Sequence, residues 1–511
     1  MTDEPVANDV ATPGRTPSLT ASLFVVGTMA ALILFSVIQF GGEVADGPLQ
    51  VSMTLATIVA LGVAYAYGHR GGLIGQAIQT SVSGTLGTMM VLLAIGALIG
   101  TLYLAGTVAA FIYYGVDLLE PRFYYVLVFI ITSVLGVLLG SALTTIAAVG
   151  VAFVGLASVM GVDPAIAAGA ALSGSILGDK VAKISDTVVL TVASVGGVSV
   201  PEHARAVMRT AAPAVLISGV LFFVIGIAGG GGDGTADVSS VQGVLSEQFD
   251  ISLLAFTPVL LIFLLSALKF SAFLSLMIPA VFAVLLAAVT QHDLIVSLAG
   301  DPSLAYWEAA LRVGIQVIAD GFQLQSSDPN LDQVFSGGGT SSMLTTIWLI
   351  LVAASFGAIA DYTGMLRQVI TPVISLARNV AGLIITTMLT SIGLNAVAAD
   401  PYISIVLVSK MFRGEYIADR LKPVTLSTSI ADSGTIVSYI VPWNVNGALV
   451  AGTLGMAAVT YLPFAFLAYL TPIVSGLIAI RAGGRPLPKD EDAARVYGSE
   501  PATLPTPERT A

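Results

Sequence analysis

The stretch Ser173-Gly174-Ser175-Ile176-Leu177-Gly178-Asp179-Lys180, followed closely by Lys183-Ile184-Ser185-Asp186-Thr187, lies between long apolar runs. It begins with small and apolar residues and ends with two carboxylates, two ammonium groups and two hydroxyls. Outward from it in both directions, apolar runs of about 17 to 25 residues recur along nearly the whole chain, each long enough to cross a hydrocarbon core at about 1.5 Å per residue. Of the 511 residues 56% are hydrophobic and 10% are charged, with a mean hydropathy of +0.93, so lipid must be the solvent for most of the chain. A transmembrane barrel would alternate in and out over about ten residues, and uniformly apolar runs exclude it. The expected fold is therefore an all-α polytopic membrane protein of roughly 11 to 13 transmembrane helices, some of them broken or re-entrant. Gly178 invites such a break. On a continuous helix, Asp179 and Asp186 would share a face, and Asp179 with Lys183 would have the favourable i, i+4 order.

Charge gives an expected orientation, because cytoplasmic loops collect Lys and Arg. Arg15 precedes the first apolar run, Ser22 to Phe40; Glu43 and Asp46 follow it, and Arg70 closes the second. Arg481, Arg485 and Lys489 lie near the other end, so both termini are expected in the cytoplasm and the protein in the cell (inner) membrane. The first run is too long for a signal-peptide core and reads as a membrane helix. Polar, Pro-rich composition predicts disordered cytoplasmic tails over 1–19 and 482–511. Residues 229–250 carry four acids and no Lys or Arg, and read as an extracytoplasmic linker between membrane repeats at 20–228 and 251–481.

Lys183-Ile184-Ser185-Asp186-Thr187 resembles Ser429-Ile430-Ala431-Asp432-Ser433, at an offset of 432 − 186 = 246. Ahead of the first motif the connections carry Asp117, Glu120 and Asp163 with only Arg122; ahead of the second they carry Arg367, Arg378, Lys410, Arg413, Arg420 and Lys422. Behind the motifs the bias swaps, with Arg205 and Arg209 following the first. Swapped bias predicts two repeats of inverted topology.

Ionisable side chains at membrane depth are functional candidates because each costs about 2.5 kcal/mol or more to insert. Asp179, Asp186, Asp361 and Asp432 stand out. The second motif adds Ser427, Ser433, Thr435 and Asn444 around Asp432, with Gly434 and Pro442 to unwind the helix. Asn395, Thr144, Ser185 and Thr187 supply further oxygens of the kind that hard cations require. Simpler roles compete with these: Asp179 and Lys180 as a structural ion pair, Asp361 as a helix terminus, and Ser and Thr as packing residues. The chain has no cysteine, which excludes disulfides and thiolate sites, and His69, His203 and His292 stand at segment ends without metal-ligand spacing. Gly229 to Gly234 contain no G-K-[ST], so they are not a phosphate loop. A net charge of −11 concentrated in tails and loops, including Asp490, Glu491 and Asp492, does not call for nucleic acid. Neither an enzyme nor a cofactor is expected.

At these motifs the chain resembles the NhaC family of sodium/proton antiporters, over most of residues 80 to 475. Gly140-Ser141-Ala142-Leu143-Thr144-Thr145, Gly178-Asp179-Lys180 with Ser185-Asp186-Thr187, Gly338-Gly339 with Ser342-Met343, Gly357 to Gly364, Leu426-Ser427, Asp432-Ser433-Gly434-Thr435 and Pro442-Trp443-Asn444 are similar to family blocks in family order. The resemblance implies a two-repeat ion-transporter fold that moves sodium ions and protons in opposite directions; related members exchange organic acids or move amino acids. The expected mechanism is alternating access, with Asp186 and Asp432 as sodium-binding carboxylates and Asp179 with Lys180 as support or proton-linked partner. Ala182-Lys183 replaces the usual Ser-Pro, Val188 and Val189 replace Thr and Asn, and Thr428 stands where Arg is common. These departures suit the alternative reading, a sodium- or proton-coupled exchanger of an organic acid or amino acid. The expected partners are sodium, protons, the bilayer and a small organic anion in the alternative reading, with a homodimer as an allowed assembly.

Overall fold

The computed structural model describes residues 14–183, 185–229, 238–324, 335–374, 379–488 and 492–498. Parts of the expected tails, as well as Arg378, Asp490 and Glu491, lie outside the described residues. The described chain is helical nearly throughout, with one antiparallel pairing of Phe322–Gln323 against Ser336–Gly337. Among the described residues nine helices are long and apolar enough to cross a membrane, or ten if the bent pair Val445–Leu454 and Ala458–Phe464 is one span. Three further helical stretches, Pro164–Val181, Pro401–Ala418 and 423–440, are nearly as long but more polar. They account for the difference from the expected number of spans. The chain is embedded in a membrane.

Helix starts follow local chemistry. Ser141, Asp163, Ser185, Asp400 and Asn444 each turn a side-chain oxygen onto a backbone N–H of the helix they precede. These first-turn donors have no partner within the helix, and hydrocarbon offers them none. Pro164, Pro401 and Pro423 occupy first helical positions, where the missing N–H costs nothing.

The helices Tyr124–Leu139 and Pro164–Val181 pack backbone to backbone. A Cβ added at Gly178 would collide with the main chain of Gly136, and one at Gly174 with Thr132 and the Phe129 carbonyl. Small residues permit such approach without a hydrophobic drive between lipid-immersed helices. This corrects the expected role of Gly178: the helix runs through it to Val181, and the next helix starts at Asp186.

Helix boundaries recur along the chain. Ala142–Val159, Pro164–Val181 and Asp186–Val195 reappear as Pro401–Ala418, 423–440 and Val445–Leu454, all at one offset (401 − 142 = 445 − 186 = 259). Left-handed backbone recurs with them: Gly140 (φ +69) with Ala399 (φ +56), Gly161 (+69) with Arg420 (+50), and Gly196 (+72) with Gly455 (+61). Ala399 and Arg420 bear a Cβ that makes this conformation costly, so the shared path of the backbone, not residue preference, imposes it. The offset of 246 is thereby corrected. Asp186 is equivalent to Val445, and Asp432 to Ser173.

Parts of the expected linker and of both expected tails are ordered: in the first tail, Arg15 N–H donates to the Tyr67 carbonyl at 2.9 Å. Val238–Gln248, inside the expected linker, is a helix, and Leu245 and Phe249 beside it are buried. At the other end, Arg413 donates to the carbonyls of Val195, Tyr497 and Gly498, at 3.1, 3.0 and 2.6 Å, and the buried Tyr497 hydroxyl donates to the Leu421 carbonyl at 3.1 Å. Leu487 N–H donates to the Arg420 carbonyl and Lys422 N–H to that of Arg485, at 2.8 and 2.7 Å. Residues 482–488 and 492–498 are therefore docked on the helices rather than a free tail, because buried carbonyls and an aromatic ring find partners there.

Candidate functional site

Each of the two broken helices has an 18-residue arm and a 10-residue arm separated by a short non-helical interruption. In the first, Asp179 and Lys180 sit in the last turn before the break, and Ser185 caps the arm beyond it. The Ser185 hydroxyl donates to Asp179 Oδ1 at 2.7 Å, and the Thr187 hydroxyl lies 2.9 Å from that of Ser185 and 3.3 Å from the Asp179 carbonyl oxygen. In the second, Asn446 Nδ2 donates to the Ser438 hydroxyl at 3.0 Å, and Asn444 caps the arm. Ser438 and Asn446 are the offset-259 equivalents of Asp179 and Thr187, so each break is bridged between the same two positions.

Two side-chain bonds run between the two broken helices. Lys180 Nζ forms an ion pair with Asp432 Oδ1, both side chains being buried. Tyr439 donates its hydroxyl to Asp179 Oδ2 at 2.6 Å, and it too is buried. Asp432 Oδ2 has no hydrogen-bond partner among the described residues, nor has the buried hydroxyl of Thr435. Both residues lie in Ala431–Thr435, a five-residue π-helical turn that widens the helix. π turns leave the i→i−4 ladder locally unmade and often mark functional sites. Gly434, in the same turn, lies so close to Ser391 and Asn395 that a Cβ would clash with both side chains.

All but two of the side chains selected from the sequence, Asp186 and Asp361, are buried. Asn444 Nδ2 donates to the Asn395 carbonyl and to its Oδ1, at 3.1 and 3.2 Å, which ties the second break to the helix Val380–Ala398. Ser433 turns its hydroxyl back onto the Ser429 carbonyl at 2.6 Å. Ser427 lies 3.0 Å from His203 Nδ1, and Thr144 bonds the Ser141 hydroxyl at 3.1 Å, beside the other π turn, Ile146–Gly150. Asp186 is one of the two exceptions. It is exposed at the first position of Asp186–Val195, where a carboxylate is stabilised by the positive end of the helix dipole. Lys183 and Asp361 are exposed as well, Asp361 in the last turn of the helix Leu344–Tyr362.

Sequence reasoning missed Tyr439, Asn446 and the fully buried His203. Tyr439 and Asn446 flank the Pro442-Trp443-Asn444 block and would have emerged from the correct repeat register. No sequence signal marks His203.

A bundle of apolar helices, with two interrupted helices that bury two carboxylates and one ammonium in contacts between them, defines an ion-coupled membrane carrier. The chain belongs to the Na+/H+ antiporter family, whose model matches residues 184–481. It is 29% identical to the Na(+)/H(+) antiporter NhaC of Alkalihalophilus pseudofirmus, over 90% of this chain and 96% of the relative. It is 28% identical to the malate-2H(+)/Na(+)-lactate antiporter of Bacillus subtilis, over 89% and 93%, and 27% identical to the arginine/ornithine antiporter ArcD of Halobacterium salinarum, over 92% and 93%.

Proposed function

We propose that this protein exchanges sodium ions for protons across the cell membrane by alternating access, and that the two cations compete for Asp432. The observation that carries this reading is the state of that carboxylate: buried, with one oxygen on Lys180 and the other without a partner. With Asp179, Lys180 and Asp432 all ionised, the site holds one negative charge in excess. A low-dielectric interior tolerates that only when one more cation arrives. Either a proton or a sodium ion on Asp432 Oδ2 supplies it, and occupancy by one excludes the other. Thr435 offers a neutral oxygen on the same π turn, and Asn395 and Asn444 fix the break beside it. Asp179, held by Ser185 and Tyr439, acts as support, and exchange by such competition requires no cofactor.

Inverted topology of the two segments, with both termini in the cytoplasm, rests on the swapped charge bias and on the recurrent backbone. The second reading, exchange of an organic acid or amino acid, is favoured by the relatives named for malate, lactate, arginine and ornithine. Against an anionic solute, Lys183 is exposed and the buried Lys180 is already engaged by Asp432. Reconstituted vesicles carrying a pH dye, with sodium, lithium, potassium and a panel of organic acids as driving solutes, separate the two. Proton movement driven by sodium alone supports antiport. Movement that needs an organic solute supports the second reading.

A further inference from the structure

A cavity of about 960 Å³ lies apart from the Lys180–Asp432 pair, among Ala142–Val159, Leu344–Tyr362 and the bent pair Val445–Leu454 and Ala458–Phe464. Its lining runs from exposed residues, Asp46, Ser158 and Gly455, to buried ones such as Gln50 and Leu349. At the deep end it reaches Pro442 and Ala448, on either side of Asn444, which caps the second break. One wall comes from Ala142–Val159 of the first recurrent segment and another from Val445–Leu454 of the second, with Leu344–Tyr362 and the segment Gly41–Asp46 completing it.

Its chemistry is one-sided. Asp46 is the only charged residue among the described residues that line it, and the other polar groups are neutral, including Thr345, Thr346 and Ser342. Gln50 contributes to this character. Its Nε2 faces two carbonyl oxygens, those of Ala45 at 2.7 Å and Thr345 at 3.2 Å, which fixes the amide orientation and leaves Oε1 without a partner. A carboxylate-bearing solute would find no cation on these walls, and the Asp46 carboxylate at the rim would repel it. A monovalent cation with part of its water shell finds an attracting rim and walls of oxygen, and walls of low dielectric focus that field into the opening.

We propose that this cavity is a cation-selective loading vestibule for the exchanger, with Asp46 as the residue that sets its selectivity. The identity of the cation as sodium rests on the antiport reading; the charge selectivity rests on the walls alone. Anions, organic acids included, are held out of it.

Because the chain has no cysteine, single cysteines report access directly. Ser158→Cys probes the rim and Thr346→Cys the interior, both near-isosteric changes, in purified protein shown to be monodisperse. Each is treated with a cationic and an anionic methanethiosulfonate reagent of similar size, and rates are normalised to those with a free thiol. The expected result at low ionic strength is a preference for the cationic reagent of about tenfold or more at Thr346→Cys. Asp46→Asn should remove most of it. Sodium should slow the cationic reagent more than choline at equal ionic strength. Equal normalised rates, a preference that survives Asp46→Asn, or an interior cysteine that neither reagent reaches would each overturn the proposal. Repeating the labelling on Asp432→Asn keeps the two readings separate. An unchanged cation preference there supports the vestibule even if Asp432 proves dispensable for exchange, whereas its loss would count against a selectivity set at the rim.

Discussion

Lys180 and Tyr439 occupy the same place in two recurrent segments (439 − 180 = 259), and each crosses to a carboxylate held by the other segment. Lys180 pairs with Asp432, and Tyr439 donates to Asp179. The equivalence is positional rather than chemical, since one is an ammonium and the other a phenol. Of the buried oxygens of these two carboxylates, only Asp432 Oδ2 is left without a partner among the described residues. The Asp179 side is held by neutral donors, the hydroxyls of Ser185 and Tyr439.

Tyr439 and Asp179 should behave as one unit in stability. Tyr439→Phe removes a donor from a buried carboxylate, a loss of about 1–3 kcal/mol. Asp179→Asn alone should also destabilise, and the double variant should fall short of the sum by about 1 kcal/mol or more, as contacting pairs do. Thermal unfolding of the four proteins in detergent measures this coupling; strict additivity would mean that the bond contributes nothing.

For the Lys180–Asp432 pair, breaking and replacing should differ. Lys180→Met leaves a carboxylate buried without its counter-charge and should cost about 3–5 kcal/mol, while Lys180→Met with Asp432→Leu should recover most of that stability. Exchange should be absent from both. In Lys180→Arg, which keeps the charge but changes its reach, folding should survive, and half-saturating sodium should rise because the guanidinium crowds the open oxygen.

Gly178 tests the packing that brings the first break into place. Gly178→Ala should lower stability by about 1–3 kcal/mol through overpacking, and Gly178→Val should abolish the folded protein, because the added atoms meet the Gly136 main chain. Gel-filtration yield and unfolding temperature report both outcomes. Normal stability of Gly178→Val would contradict the close backbone contact.

Much of the fold is legible in the residues because membrane physics leaves few alternatives: long apolar runs must be helices, and polar residues within them must face one another. Gly178-Asp179-Lys180 and Pro442-Trp443-Asn444, which flank the two breaks, are legible for that reason. The register between the segments is not. Asp186 and Asp432 look alike in sequence, yet structural equivalence joins Asp179 to Ser438, Lys180 to Tyr439 and Asp432 to Ser173, pairs with no chemistry in common. The backbone marks of the repeat were equally hidden, since Ala399 and Arg420 take a left-handed conformation that residue type argues against. The position of the first break was misread because a glycine permits either a bend or a close approach, and only the neighbouring Gly136 decides which.

The most direct test of the central claim is sodium-driven proton movement against pH in reconstituted vesicles for Asp432→Asn and Asp186→Asn. Replacing either Asp with Asn keeps its shape and removes the charge. Competition at Asp432 predicts that Asp432→Asn folds but exchanges nothing at any pH, while Asp186→Asn, altered only at an exposed helix start, retains most of the parent rate. Parent-like exchange by Asp432→Asn, together with failure of Asp186→Asn, would contradict the account and move the cation site to the start of the helix Asp186–Val195.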